Sequence, residues 1–163
     1  MMNLPNVLYN GIMCKIGRGA VILSDPSLTE RVIADIQSGK ELDTSIKPSA
    51  LPSVAQLLNV YMGRRGMSTE VLFEQAGLSR SYGFRVLNGS RKNLSRDAVL
   101  RLAFVLGLAI HDAQFLLKCA MNPLLSGHLK RDVIIMKALN DHKLLSDIQD
   151  ILISYQEKPL LAE

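Results

Sequence analysis

Apolar residues recur through the middle of the chain at the spacing of a helix. Val54, Leu57, Leu58 and Tyr61 stand at i, i+3, i+4 and i+7, which puts them on one face. Val99, Leu102, Ala103 and Leu106 repeat the pattern, and Ile148, Ile151, Leu152 and Tyr155 do so near the end. The polar punctuation agrees with these faces. Ser53 and Gln56 form a capping box, which predicts a helix ending near Gly63 or Gly66. Ser68 opens the next helix, which closes at Gly77. Ser79 caps another, closing at Asn88-Gly89, and Ser95 caps a fourth, closing at Gly107. A fifth is predicted from Ile110 to Met121, stopping at Asn122-Pro123. Two more are expected over Arg131–Leu139 and Leu145–Gln156. Helices this short are unstable alone and must pack together.

The N-terminal third has weaker periodicity. Gly11, Gly17 and Gly19 interrupt any helix, while Ala20–Leu23 reads as a short strand, so residues 1–24 are a flexible arm or a small hairpin. Gly17-Arg18-Gly19 lacks the Gly-x-x-x-x-Gly-Lys-Ser/Thr spacing of a phosphate loop. Ser27 and Glu30 make a second capping box, predicting a helix over Leu28–Ser38 that Gly39 ends. Residues 40–52 hold two prolines and no period, as a linker does. The expected architecture is all-α in three parts: an N-terminal arm with one helix and a linker (1–52), a five-helix domain (53–121), and a C-terminal extension of two helices (122–163).

Composition narrows the chemistry. With 4 Phe, 4 Tyr and no Trp in 163 residues, the core must be aliphatic. Cys14 and Cys119 are far apart, and His111, His128 and His142 have no ligand spacing, so neither a metal nor a cofactor is expected. Asp147 and Asp150 share a helix face but read as solvated carboxylates. No nucleophile–base pair is visible, which argues against an enzyme. The longest apolar run, Leu102–Ile110, has nine residues, against about 20 for a membrane helix. The N-terminus has no basic start followed by an apolar run. A cytoplasmic protein is expected.

Charge adds a location. Net charge is +4, yet residues 61–101 alone carry +5, from Arg64, Arg65, Arg80, Arg85, Arg91, Lys92, Arg96 and Arg101 against Glu70, Glu74 and Asp97. A local excess dominated by arginine calls for an anionic partner. The same stretch holds two short helices joined by Gly77-Leu78-Ser79. In such a turn the glycine permits a left-handed backbone, the leucine plugs the corner and the serine caps the second helix, as in a DNA-binding helix-turn-helix. The second helix starts with Arg80 and Ser81 and carries Arg85 one turn on. Arginine pairs bidentately with guanine in the major groove, and serine bonds bases or phosphate. Val86 and Leu87 are expected to face inward. Ser90-Arg91-Lys92-Asn93 forms a basic loop suited to phosphate, and Thr69 can offer its hydroxyl and N–H to another. Of Tyr82 and Phe84, one is expected in the core and the other across a helix, with contact to sugar or a thymine methyl as the alternative.

These features resemble the lambda-repressor-like helix-turn-helix regulators of bacteria and phages, the XRE/Cro type. The resemblance covers Ser53 to about Met121. It rests on the Ser68 helix start, the Gly77-Leu78-Ser79 turn, the Asn88-Gly89 ending, the basic loop, and the Ser95 helix closing at Leu106-Gly107-Leu108. Beyond it, Arg131-Asp132-Val133-Ile134-Ile135 and Pro159-Leu160 resemble a bacterial subgroup with two added C-terminal helices. The resemblance implies sequence-specific binding of double-stranded DNA in transcription regulation. It implies base reading by Arg80, Ser81 and Arg85, and phosphate binding by Thr69, Arg91, Lys92 and Asn93. Two residues depart from the family pattern. Phe73 stands where alanine is usual, and Gly83 where an apolar residue packs inward, so Phe73 is expected to fill the space above Gly83. A homodimer is expected from spare apolar residues in the extension, notably Leu124, Leu125, Ile134, Ile135 and Ile148. The alternative is a protein-interaction module, holding a partner through the arm and the C-terminal helices. Pairing of the arginines with Glu70 and Glu74 would favour that alternative.

Overall fold

A computed structural model of the chain describes residues 13–16, 19–22, 33–39 and 51–161. The chain divides into two units, Met1–Leu51 and Pro52–Glu163. In the first, β1 (Met13–Ile16) and β2 (Gly19–Ile22) pair antiparallel, with Met13 opposite Ile22 and Ile16 opposite Gly19. This is the hairpin of the two expected forms of the N-terminus. Residues 33–37 are helical, and Gly39 follows at φ +71°, the left-handed backbone that ends a helix. The expected cap at Ser27 and most of the linker, residues 40–50, lie outside the described residues.

The second unit is all-α, with seven helices: α1 (Val54–Arg65), α2 (Thr69–Gln75), α3 (Arg80–Leu87), α4 (Arg96–Val105), α5 (Ile110–Cys119), α6 (Lys130–Asn140) and α7 (Leu145–Ser154). Four begin where a serine hydroxyl accepts the N–H three residues on: Ser53 from Gln56, Ser68 from Val71, Ser79 from Tyr82, Ser95 from Ala98. At Ser53 the box is closed, because Gln56 Oε1 accepts the Ser53 N–H at 2.8 Å. The last two helices have no side-chain cap from the residue before them, although Asp147 Oδ2 accepts the Leu144 N–H at α7.

The core is largely aliphatic, with Tyr61, Phe73 and Phe104 buried in it as well. Leu57, Leu58, Leu72, Val99, Leu100, Leu102, Ala103, Leu116 and Leu117 are fully buried. Ile135, Leu139, Ile148 and Leu152 belong to the same buried set, and α6 packs on α5 while α7 packs on α4. Residues 122–161 therefore do not separate from 53–121, and the expected boundary after Met121 is not one in packing. The same fact corrects the expected dimer surface. Leu125, Ile135 and Ile148 are inside the unit's own core, while Leu124 is exposed and Ile134 half-buried. Tyr155, expected on the core face of α7, is also exposed.

Two Arg-Asp pairs lock the extension to the rest, each arginine reaching the other pair's aspartate. Arg96, the first residue of α4, donates two hydrogen bonds to Asp132 of α6, at 2.9 and 2.7 Å. Arg131 donates from both terminal nitrogens to Asp97 Oδ1 at 3.0 Å. Asp132 is 1% exposed and also accepts the Ser126 N–H. Burial pushes its carboxyl pKa up, but the Arg96 and Ser126 hydrogen bonds and the charges of Arg96 and Arg131 outweigh that. They hold it below the usual carboxylate range. Further bonds from the two arginines tie down the α5–α6 connection and the C-terminal segment. Arg96 bonds the carbonyls of Pro123 and Leu124, and Arg131 those of Lys158 and Pro159.

Candidate nucleic-acid interface

The junction of α2 and α3 is held by backbone geometry first. Gly77 sits at φ +63°. Its N–H donates to the Glu74 carbonyl at 2.9 Å and that of Leu78 to the Phe73 carbonyl at 2.8 Å, a pairing that closes a helix at a left-handed residue. Below the turn, Arg101 of α4 directs Nη1 toward the Gly77 carbonyl at 3.4 Å. A Cβ on Gly77 would lie 2.7 Å from Leu161 Cδ2, so the C-terminal segment closes against the turn as well. Burial of Arg101 lowers its pKa from the usual arginine value.

Phe73 and Gly83 set the contact of the two helices. Phe73 is 1% exposed, and a Cβ on Gly83 would stand 2.5 Å from its ring carbon Cγ. The ring therefore occupies the volume that a side chain at 83 would need. The large side chain and the missing one compensate each other, and Phe73 fills the space above Gly83 as expected. Val86 is buried beside them, with Leu87 half-buried.

With Gly83 and Val86 inward, helical spacing turns Ser81, Phe84, Arg85 and Asn88 outward, and all four are exposed, as is Arg80 at the helix start. Thr69, Glu70, Phe73, Arg80, Ser81, Phe84 and Arg85 line a cleft of about 550 Å³ between the two helices. The three expected base readers are thus together, with Thr69 facing them. Within the cleft, Arg85 Nε donates to the Ser81 carbonyl at 3.3 Å, and the hydroxyls of Ser79 and Ser81 are 3.2 Å apart. Arg80 meets Glu70 at 3.5 Å, an exposed pair. The Glu70 pKa is lowered, first by a hydrogen bond to its own backbone and also by Arg80.

The basic loop docks on the other side of α3. The Arg91 N–H donates to the Arg85 carbonyl at 2.8 Å, and its guanidinium stacks 4.5 Å from the centre of the Tyr82 ring. Asn88 Oδ1 accepts the backbone N–H of Ser90 at 2.9 Å and also meets the Ser90 hydroxyl. Lys92 and Asn93 are exposed. Neither aromatic of α3 enters the core: Tyr82 is half-buried under Arg91, and Phe84 is 69% exposed. For Phe84 the exposure leaves the alternative reading, an outward contact, in place of the expected core or covering role. Its spacing agrees, because Phe84 stands at i+4 from Arg80 and i+3 from Ser81.

Not all of the basic stretch belongs to this surface. Arg96 and Arg101 are spent on Asp132 and Gly77, and the Arg65 guanidinium packs across Gly107. Elsewhere, a groove of about 420 Å³ runs between α6 and α7, lined by Val133, Ile134, Lys137, Ile151 and Tyr155 among others. Burial pushes the Cys119 thiol up to about 11, which keeps it protonated and unreactive at neutral pH. Among the described residues, no group of three or more His, Cys, Asp or Glu is placed to hold a metal ion, and no helix is long and apolar enough to cross a membrane. No family model, curated protein or solved structure matches the chain.

Proposed function

We propose that the chain is a sequence-specific double-stranded DNA-binding transcriptional regulator with a lambda-repressor-like fold, and that α3 enters the major groove. The observation that carries the reading is the exposed face Arg80, Ser81, Phe84 and Arg85 beside Thr69, on a turn clamped by Gly77, Arg101 and Leu161. A rigid frame matters because base contacts discriminate only when their donors are held in place. Arg80 and Arg85 would pair with guanine, Ser81 with a base or phosphate, and Thr69, Arg91, Lys92 and Asn93 with the backbone.

A protein-interaction module is the second reading, and the Arg80–Glu70 pair favours it. Magnitudes weigh against it. An exposed pair is screened by water and salt and holds Arg80 weakly, while a bidentate arginine–guanine contact discriminates by about 1–3 kcal/mol. DNA would therefore draw Arg80 away from Glu70. A homodimer belongs to the proposal, because one such module reads few base pairs. The exposed apolar side chains of the last two helices and their flanks, Leu124, Val133, Leu144 and Ile153, are its material.

Selection of binders from a random duplex pool by the full chain tests the reading. Enrichment of one motif is expected, with affinity falling steeply as salt rises. A pool that emerges unenriched, while the chain still captures protein partners, would replace this reading with the second. A strict monomer in sedimentation at micromolar concentration would remove the dimer.

A further inference from the structure

An apolar side chain set among base-reading polar ones has its own specificity. Phe84 is 69% exposed on the outward face of α3, one turn after Arg80 and adjacent to Arg85. Its ring has no hydrogen-bond donor or acceptor. It is not covering a gap in the core, since the inward side of this turn is already filled by Phe73 against Gly83 and by Val86. It lines the same cleft as Arg80, Ser81 and Arg85. In the major groove the base edges present donors, acceptors and one apolar group, the C5-methyl of thymine. A phenylalanine carried into the groove by α3 would leave cytosine N4 or guanine O6 without a partner, whereas a thymine methyl packs against its ring.

We propose that Phe84 reads a thymine methyl, so that the chain prefers duplexes in which a T·A pair lies beside the G·C pair read by Arg85. The inference rests on the DNA-binding reading and adds a base identity to it. The flanking arginines support the neighbouring guanine. Arg85 uses Nε on the Ser81 carbonyl, which leaves its two terminal nitrogens to bond O6 and N7.

The test uses the full chain and the duplex it selects from a random pool. Each thymine of that duplex is replaced in turn by deoxyuridine, which removes the methyl and alters no hydrogen-bonding group. One position is expected to lose about fourfold in affinity, the effect of exposing one buried methyl. That position should lie beside the guanine whose preference relaxes in Arg85→Ala. Phe84→Ala should bind the thymine and deoxyuridine duplexes equally, and Phe84→Leu, still apolar, should retain part of the preference. Since Phe84 is exposed, both variants should unfold at the same denaturant concentration as the parent chain. Equal binding of thymine and deoxyuridine at every position, or a preference that survives in Phe84→Ala, overturns the inference while leaving DNA binding intact. Failure to select any duplex overturns both.

Discussion

Arg85 and Arg96 are the same residue type on successive helices of one basic stretch, and they do opposite work. Arg85 lies on the exposed face of α3, its guanidinium bonded along its own helix to the Ser81 carbonyl. Arg96 reaches across the unit to buried Asp132 and to two carbonyls of the connection before α6. Arg101 and Arg131 belong with Arg96; Arg80 and Arg91 belong with Arg85. A count of positive charge treats all six alike. The difference lies in whether the guanidinium itself has been folded into the unit, as in Arg96 and Arg131, or stands in solvent, as Arg80 does beside Glu70, and that depends on tertiary packing. The surface available to an anion is therefore smaller and more sharply placed than the charge excess suggests.

The largest effect should come from the inward set. Asp132→Ala leaves Arg96 without its partner inside the α4–α6 junction, and breaking a buried pair costs about 3–5 kcal/mol. Arg96 keeps some access to water, so about 3 kcal/mol is expected, read as a lowered midpoint in urea unfolding. The pH dependence has a fixed sign. The folded pKa of Asp132 is held below its unfolded value of about 3.9. The stabilisation is thus full above that value and is lost as pH falls through the folded one. The parent chain should destabilise below about pH 4 more steeply than Asp132→Ala. Equal midpoints for the two chains would show that the pair contributes nothing.

Next in size is the contact between α2 and α3. Alanine is ordinarily better than glycine in a helix by about 1 kcal/mol. At position 83 the sign should reverse, because three ring atoms of Phe73 lie within 3 Å of the added Cβ. Overpacking of this kind costs about 1–3 kcal/mol. Gly83→Ala should lower the unfolding midpoint, and Phe73→Leu in the same chain should restore much of it. Independent, additive effects of the two substitutions would mean that the ring does not set the helix contact.

The features that sequence made legible are those decided within one or two turns. Each serine cap needs only its own hydroxyl and the N–H three residues on. The Gly77 turn needs one left-handed residue, and the Phe73–Gly83 compensation follows from two departures on adjoining helices. What sequence hid is decided at long range. The partner of Arg96 is 36 residues away, so nothing near Arg96 marks it as structural. Leu125, Ile135 and Ile148 looked like spare apolar surface because their covering elements, α4 and α5, lie in a segment taken for a separate domain. Phe84 is the intermediate case. Its face is legible from helical spacing with Arg80 and Ser81, but an isolated aromatic reads as core until Phe73 is seen to occupy that core.

The smallest effects separate the outward residues from one another. Arg85→Ala should leave the unfolding midpoint unchanged and weaken the selected duplex by about 1–3 kcal/mol, with specificity relaxed at one base pair. Lys92→Ala should do something different in kind. Lys92 lies in the exposed loop whose neighbour Arg91 is fixed by the Arg85 carbonyl and the Tyr82 ring. Its ammonium can approach the phosphates from a loop of settled position without reading a base. The expected loss is uniform across sequences, and the slope of log affinity against log salt should become shallower by about 1, one released counterion. A sequence-dependent loss for Lys92→Ala would move that residue into the groove. An unchanged salt slope would detach the loop from the interface and confine the binding surface to the cleft between α2 and α3.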